Sequence, residues 1–177
     1  NFNKGQPRGP ENSKIIELEY PNIFLGFHRL AINGYKDEMS NQPFLIDGIY
    51  LICNGEIYNW KKLYSMMNIK GCSNSDCEVI IHMYKKYGIE QTLKMLDGVF
   101  SFVLYDKQKD LVFVARDSIG IIPLYHGMDT TNNCYFVGSE LKTIQDDCDI
   151  IDVFPPGHYL VNYRNNDIKL CDVTRYY

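Results

Sequence analysis

The sequence predicts an α+β protein in which one β-sheet packs on another and helices lie on the outside. Many segments typical of antiparallel strands recur along the chain, bounded by turn residues. A pair of segments with helical spacing of apolar residues is inserted after the second strand region. This order is typical of layered α+β folds. With 177 residues, 45% of them hydrophobic, the chain can bury one substantial core, and we expect a single domain.

The N-terminal part is predicted to contain two strand regions separated by loops. Residues 6–14 are rich in Pro, Gly and polar residues, which indicates a loop. Residues 23–32 carry apolar side chains on both alternating faces, as expected of a strand that is covered on both sides. Residues 44–53 form the second strand region, in which Asp47 and Gly48 mark a hairpin turn.

Two helices are predicted next. Asn59 fits the N-cap of the first, whose apolar residues at helical spacing are Trp60, Leu63, Tyr64 and Met67. The second spans residues 76–88 and ends at Gly88, a residue type common at helix C-termini. We expect its apolar stripe to pack in the core; the stripe consists of Val79, Ile80, Met83 and Tyr87. Asp76 fits two roles, the N-cap of this helix and a partner for a ligand ammonium group.

The second half of the chain is predicted to be mostly β-structure. A short helix at residues 90–96 leads into a hairpin rich in β-branched and aromatic residues. In chain order, the expected elements are strands 99–106 and 111–117 around the polar turn 107–110, the segment 118–125, a strand at 134–139, a short helix at 140–145, and closing strands at 158–163 and 168–173.

Composition and charge exclude several classes of partner. The net charge of -4 and the absence of a block rich in Lys and Arg argue against nucleic acid or an anionic membrane surface. The chain has no signal-peptide pattern and no apolar stretch near the roughly 18 residues of a spanning helix, so we expect a cytoplasmic protein. Its six cysteines lack disulfide or zinc spacing, so we expect reduced thiols and no metal; they are Cys53, Cys72, Cys77, Cys134, Cys148 and Cys171.

Two positions carry candidate chemistry. In the stretch 53–59, which reads CNGEIYN, the Asn54 carboxamide lies next to the Gly55 N–H, and two adjacent donors are what a developing oxyanion needs. The alternative is a hairpin turn with both residues at positive φ. Arg29, at the end of the first predicted strand, is either an edge residue that reaches into solvent or an anion-binding group.

Eight motifs occur in the order in which they are found in the glutaminase domain of the asparagine synthetase family. They are PRGPE, HRLAI, NGEIYN, SDCEVI, GVFSFVLYD, ARDSIGIIPLY, GSELK and FPPGHY. The chain therefore resembles the class II, N-terminal-nucleophile glutamine amidotransferases over nearly all of residues 1–177. The resemblance implies a four-layer αββα sandwich, of the N-terminal-nucleophile hydrolase type, with two antiparallel sheets between helical layers.

The resemblance also implies site residues and an activity. Glutamine would be hydrolysed to glutamate and ammonia, and the ammonia would serve the ATP-dependent amidation of aspartate to asparagine. The implied roles are Arg29 for the α-carboxylate, Asp76 and the Glu56 backbone for the α-ammonium group, the backbone at Ile32 and Asn33 for the substrate site, and the Asn54 side chain with the Gly55 N–H for the oxyanion hole.

The chain departs from the family in its nucleophile. Family members attack glutamine with an N-terminal cysteine whose own amino group acts as base. This chain begins with Asn1, and no internal cysteine has a free amino group, so we expect an N-terminal piece to be missing. The alternative is a family descendant without a nucleophile that serves as a structural or regulatory module.

No SGGxDS loop of a synthetase domain is present. We therefore expect a partner synthetase domain, which would bind ATP and Mg²⁺, and no cofactor in this domain. The oligomeric state stays open, with a homodimer as one alternative.

Overall fold

The computed structural model describes residues 1–18, 23–163 and 173–177. Its strands are β1 (Asn12–Leu18), β2 (Ile23–Arg29), β3 (Phe44–Ile46), β4 (Ile49–Ile57), β5 (Gly98–Asp106), β6 (Leu111–Arg116), β7 (Tyr125–Asp129), β8 (Cys134–Gly138), β9 (Ile150–Val153), β10 (His158–Tyr163) and β11 (Val173–Arg175). Its α-helices are α1 (Trp60–Met67) and α2 (Val79–Met95). Short 3₁₀ helices lie at Phe2–Arg8, Glu38–Ser40, Asp76–Glu78 and Leu141–Thr143.

The described strands form three antiparallel sheets. The largest has six strands in the order β11-β10-β6-β5-β4-β3, a second pairs β1 with β2, and a third has the order β8-β7-β9. Strands β4 and β5 pair over nine residues, from Ile49 opposite Asp106 to Ile57 opposite Gly98. This long central pair fixes the register of the sheet, because a slip of one residue would turn every side chain to the other face.

The six-stranded sheet is buried on both faces. Against one face pack α1 and α2, in a core that includes Leu51, Leu63, Ile80, Met83, Phe100, Phe102 and Leu104. On the other face, Val114 and Leu160 meet Phe154, with Tyr135 and Val137 of β8 packed against them. The expected α+β arrangement of sheet on sheet with helices outside is therefore confirmed.

The helices differ from expectation in two details. The first segment of α2 ends where predicted, at Gly88 with φ 77° and ψ 173°, and the helical structure that continues to Met95 confirms the short helix expected at 90–96. Tyr87 of the expected apolar stripe is 36% exposed, because the buried face contains Tyr84 instead. Asn59 makes no capping bond. Its carboxamide bridges the Met95 carbonyl and the Asp97 amide.

Several β-predictions need correction. Residues 12–14, expected in a loop, belong to β1, because antiparallel pairing with β2 provides hydrogen-bond partners for their backbone. The expected double covering of β2 is wrong, since Phe24 is 60% exposed. Strands β7 and β9 were not predicted. The helix expected at 140–145 is a single 3₁₀ turn. Of the strand expected at 168–173, residues 168–172 lie outside the described chain. None of the helices in the described ranges is both long and apolar enough for a membrane span.

Candidate active site

The stretch that contains Asn54 and Gly55 is neither a loop nor a turn. Strand β4 runs through both residues without interruption, with Asn54 opposite Ser101 and Gly55 opposite Phe100. The hairpin turn lies earlier, where Asp47 and Gly48 have φ values of 51° and 79°. The turn alternative for residues 54 and 55 is therefore excluded, because both residues are held in a ladder with a distant strand.

The register of β4 turns the Gly55 N–H away from β5. The Phe100 N–H donates to the Asp117 carboxylate, and the Phe100 carbonyl accepts from the Asp117 N–H at 2.8 Å. The backbone N–H and C=O of Phe100 therefore point towards β6. Gly55, which lies opposite Phe100 on β4, consequently forms a non-hydrogen-bonded pair with it. The Gly55 N–H points to the outer edge of β4, where strand pairing does not use it.

Only glycine fits at position 55. Its φ of 151° is one that L-residues rarely adopt, and an added Cβ would lie 2.1 Å from the Val99 carbonyl oxygen and 2.6 Å from the Phe100 Cα. These neighbours are backbone atoms of β5, so they cannot turn aside as a flexible side chain could. A glycine here lets β4 approach β5 closely while its amide faces outward.

The Asn54 carboxamide is available to a ligand. The residue is half-buried, and no described residue donates a hydrogen bond to its side chain or accepts one from it. A polar side chain that makes no internal bond contributes little to the stability of the fold. Together with the Gly55 N–H, it gives β4 two donors, adjacent in the sequence, to which none of the described residues is bonded.

Asp76 lies at the same edge. Its Oδ2 accepts from the Ile57 N–H at 2.6 Å, and its Oδ1 accepts from the Asn33 carboxamide at 3.1 Å. The side chain is 4% exposed. The N-cap prediction for Asp76 is wrong, because Ser75 caps the 3₁₀ turn by accepting from the Cys77 N–H. Each carboxylate oxygen keeps a free lone pair, so Asp76 retains the capacity to accept from a cation.

Arg29 is buried rather than extended into solvent. It is 8% exposed, which excludes the edge-residue alternative. Its terminal nitrogens donate to the Asn41 Oδ1 at 2.9 Å and to the carbonyls of Gly34 at 2.7 Å, Asn33 at 3.1 Å and Asp37 at 3.4 Å. No carboxylate of the described residues forms an ion pair with it. A buried guanidinium with only neutral partners is a charge that an incoming anion would compensate.

Asn33 connects the two charged groups, since its carbonyl accepts from Arg29 and its carboxamide donates to Asp76. The neighbouring Ile32 side chain is 65% exposed. The Glu56 backbone was expected to contact the substrate. Glu56 lies opposite Val99, and because antiparallel pairs alternate, this is a hydrogen-bonded pair whose backbone groups point to β5 and not to this edge. The carbonyl that faces the edge is that of Gly55, to which the Cys77 thiol donates at 3.6 Å.

Residues 2–172 match the family model of the glutamine amidotransferase domain. The chain belongs to this family. It is 45% identical over 159 residues to a probable glutamine-hydrolyzing asparagine synthetase of Schizosaccharomyces pombe, covering 86% of this chain and 27% of the relative. It is 43% identical over 174 residues to the corresponding synthetase 1 of Saccharomyces cerevisiae, covering 96% and 28%. The chain thus spans less than a third of the length of these two relatives.

Among solved structures, the amidotransferase domain is similar to a glutamine phosphoribosylpyrophosphate amidotransferase from B. subtilis, with a TM-score of 0.72 and 25% identity over 87% of this chain and 35% of that one. A glutamine aminotransferase class-II domain protein from Silicibacter pomeroyi has a TM-score of 0.52 at 17% identity, over 69% of this chain and 66% of that one. These neighbours support the expected N-terminal-nucleophile type of α+β sandwich.

The described cysteines next to this edge of the amidotransferase domain are not suited to attack a substrate. Cys53 and Cys77 are 2% and 3% exposed, and both face the helical core. A hydrogen bond with Cys53 and burial raise the pKa of the Cys77 thiol well above its usual value. Since the thiolate is the nucleophile in cysteine chemistry, a buried and protonated thiol does not supply it.

Sequence reasoning missed the polar residues that hold this part of the amidotransferase domain together. Asp37 accepts from the Asn74 backbone and side chain, both at 2.9 Å, and so ties the loop that surrounds Arg29 to the loop that leads to Asp76. Gln42 forms two hydrogen bonds with the backbone of Cys53. The only sign of these contacts in the sequence was the presence of carboxamide and carboxylate side chains in the polar loop that precedes β3.

Glu78 fixes the loop before Asp76 from the other side. It is 1% exposed and accepts from the backbone of Cys72 at 2.7 Å and of Ser73 at 2.6 Å, and from His82 at 3.1 Å. Burial alone would raise the pKa of Glu78, but these hydrogen bonds lower it to about 2. An ionised carboxylate inside the fold thus holds the turn that presents Asp76.

Proposed function

We propose that this chain is the glutaminase part of a glutamine-hydrolysing asparagine synthetase. In this role it converts L-glutamine to glutamate and ammonia, and the ammonia is used to amidate aspartate. The observation that carries the proposal lies in β4, where the Gly55 N–H and the neighbouring Asn54 carboxamide have no hydrogen-bond partner among the described residues and Asp76 accepts from the nearby Ile57 amide. Family membership and the similarity to asparagine synthetases support it.

The charges around this edge match the two charged groups of an amino acid. Arg29 offers a buried cation for the α-carboxylate, although a bidentate carboxylate has to replace two of its four present contacts. Asp76 offers a carboxylate for the α-ammonium group. Because the Glu56 backbone is directed to β5, we assign the ammonium group to Asp76 rather than to Glu56. The side-chain amide of glutamine is then left for Asn54 and Gly55.

The chemistry assigned to this edge is stabilisation of an oxyanion. A thiolate attacks the carbon of the glutamine amide, and the electron pair of the C=O bond moves to the oxygen. The Gly55 N–H and the Asn54 NH₂ group donate to that oxygen. The C=O bond then re-forms as the C–N bond breaks, and the α-amino group of the N-terminal cysteine, which took the thiol proton, returns it to the nitrogen that leaves as ammonia. Water hydrolyses the resulting thioester to glutamate and frees the thiol. We place the thiol on an N-terminal cysteine of the family type, because the cysteines near β4 are buried.

The other parts of the proposal concern the longer protein. We propose that ATP and Mg²⁺ act in a synthetase domain that receives the ammonia, that the glutaminase part needs no cofactor, and that the protein works in the cytoplasm. A homodimer is the oligomeric state to be tested by sedimentation of the longer protein. The thioester route described above uses only protons, water and a thiol, so it places no demand on a metal in this domain.

A second candidate function is a structural or regulatory module that binds glutamine without hydrolysing it. The burial of Cys53 and Cys77 fits this module as well as it fits the enzyme, since these thiols cannot replace an N-terminal nucleophile in either. Reading the coding sequence upstream of Asn1 separates the two: a Met-Cys start supports the enzyme, and any other residue after Met supports the module.

Calorimetric titration of this chain with L-glutamine tests the site itself, because binding does not require the nucleophile. We expect L-glutamine to bind, and binding to be lost in Arg29→Met and in Asp76→Asn. D-glutamine is the control for stereochemistry. The chain should release no glutamate above background, and glutamate release that depends on an internal cysteine would overturn our account of the nucleophile. Absence of L-glutamine binding to the correctly folded chain would overturn the proposed function.

A further inference from the structure

Two adjacent carboxamides, Asn41 and Gln42, contact both halves of the candidate active site. The Asn41 Oδ1 accepts from Arg29 at 2.9 Å. The Gln42 Nε2 donates to the Cys53 carbonyl at 3.0 Å, and its Oε1 accepts from the Cys53 N–H at 2.6 Å. Cys53 immediately precedes Asn54, so one dipeptide joins the buried cation to the strand that carries the two free donors.

Gln42 continues the edge of the sheet where the neighbouring strand stops. Strand β3 pairs with β4 only as far as Phe44 opposite Leu51. Two residues further along β4, the Gln42 side chain takes the place of a strand residue, because its amide carries one donor and one acceptor with the spacing of a peptide group. At 6% exposure the carboxamide is held between protein atoms, and its two bonds fix the backbone next to Asn54.

Asn41 matters because it is neutral. It holds the Arg29 guanidinium through an amide oxygen, and the remaining contacts of Arg29 are backbone carbonyls. A carboxylate at position 41 would form an ion pair in the same place and would compensate the charge that the substrate is meant to compensate. The neutral side chain therefore orients the cation and leaves its charge for a ligand.

We propose that Asn41 and Gln42 are positioning residues for the amino-acid substrate: Asn41 orients Arg29 without neutralising it, and Gln42 sets the separation between Arg29 and the Asn54–Gly55 donors. This proposal rests on the proposed function, and it adds an explanation of how the site selects a substrate by its length. A ligand must reach from Arg29 to the Asn54–Gly55 donors, so we expect this separation to favour L-glutamine over L-asparagine, which is one methylene shorter.

The first test is Asn41→Asp, read by thermal unfolding and by titration with L-glutamine. We expect the melting temperature to stay the same or rise, because a buried cation gains an ionic partner, while the affinity for L-glutamine falls about 10- to 100-fold. Gln91→Glu adds the same charge at an exposed helical position and should change neither value. If Asn41 only stabilises the fold, Asn41→Asp should lower the affinity for L-glutamine and the melting temperature together. That result would overturn the proposal.

The second test is Gln42→Met, which keeps the volume but removes both bonds to Cys53. We expect it to lower the preference for L-glutamine over L-asparagine at least about fivefold, because the two ends of the site lose their fixed separation. A general loss of stability would weaken both ligands equally, and an unchanged ratio of affinities overturns the assignment of Gln42. If the wild-type chain binds L-glutamine but both variants bind it as the wild type does, the proposed function stands and this inference is wrong.

Discussion

The substitution Asn54→Ala tests whether Asn54 donates to an oxyanion or only stabilises the fold. Because the Asn54 carboxamide has no partner among the described residues, its removal breaks no internal hydrogen bond. The backbone of β4 is held by the ladder to β5 and does not depend on this side chain. We therefore expect the free energy of unfolding to change by about 0.5 kcal/mol or less.

The effect on turnover should be far larger. Loss of one oxyanion donor lowers kcat by roughly 10² to 10³, or about 2.7 to 4 kcal/mol of transition-state stabilisation. The change in KM should be small, because the proposed function assigns the α-carboxylate and the α-ammonium group of the substrate to Arg29 and Asp76 and not to Asn54. Stability and turnover should thus respond to this one substitution on very different scales.

The assay uses the longer protein with an N-terminal cysteine, supplied with either glutamine or ammonia. Asn54→Ala should impair synthesis from glutamine and leave synthesis from ammonia intact, since ammonia bypasses the glutaminase site. Asn59→Ala is the matched control within the same motif: its carboxamide bonds Met95 and Asp97, so it should cost about 1 to 2 kcal/mol of stability. Equal losses with both nitrogen donors, or no loss with glutamine, would refute the oxyanion role of Asn54.

Three further predictions follow from contacts inside the fold. Gly55→Ala places a Cβ 2.1 Å from the Val99 carbonyl oxygen, so chemical denaturation should show a loss of about 2 to 4 kcal/mol and a shift of β4 away from β5. The pKa of Glu78 is lowered to about 2 from 4.5, so its stabilising effect is complete above pH 4.5 and is lost as the pH falls towards 2; Glu78→Gln should flatten this part of the stability profile. Burial lowers the pKa of His126 below 6.5, so stability should fall as the pH drops below 6.5, and His126→Gln should reduce that slope.

Two Asx-Gly dipeptides show where sequence reasoning reaches its limit. Asp47-Gly48 and Asn54-Gly55 both carry the local signal of a hairpin, but only the first is one. Position 55 is decided by pairing with residue 100, and such long-range pairing leaves no trace in the local sequence. The same reason explains β1, whose polar residues look like a loop until β2 supplies their partners. Elements with strong local periodicity, such as α1 and the hairpin of β5 and β6, were predicted close to their observed bounds.

For the candidate site, motif resemblance singled out individual residues but not their connections. Arg29 and Asp76 were named from the sequence, whereas the contacts made by Asp37, Asn41 and Gln42 were not. These contacts join loops that are up to 37 positions apart, as between Asp37 and Asn74. Local patterns also could not show that Arg29 is enclosed by carbonyl groups, or that Glu56 directs its backbone towards β5.

The edge of β4 that lies beyond β3 also bears on how the protein avoids aggregation. Because β3 pairs with β4 only as far as Leu51, the backbone of β4 beyond that point could recruit a strand of another molecule. The Gln42 carboxamide is hydrogen-bonded to the backbone N–H and C=O of Cys53, and the Asp76 carboxylate accepts from the Ile57 N–H. A foreign strand would have to displace both side chains before it could pair in register. The edge can therefore keep one amide open to a small molecule while it resists the growth of an intermolecular sheet.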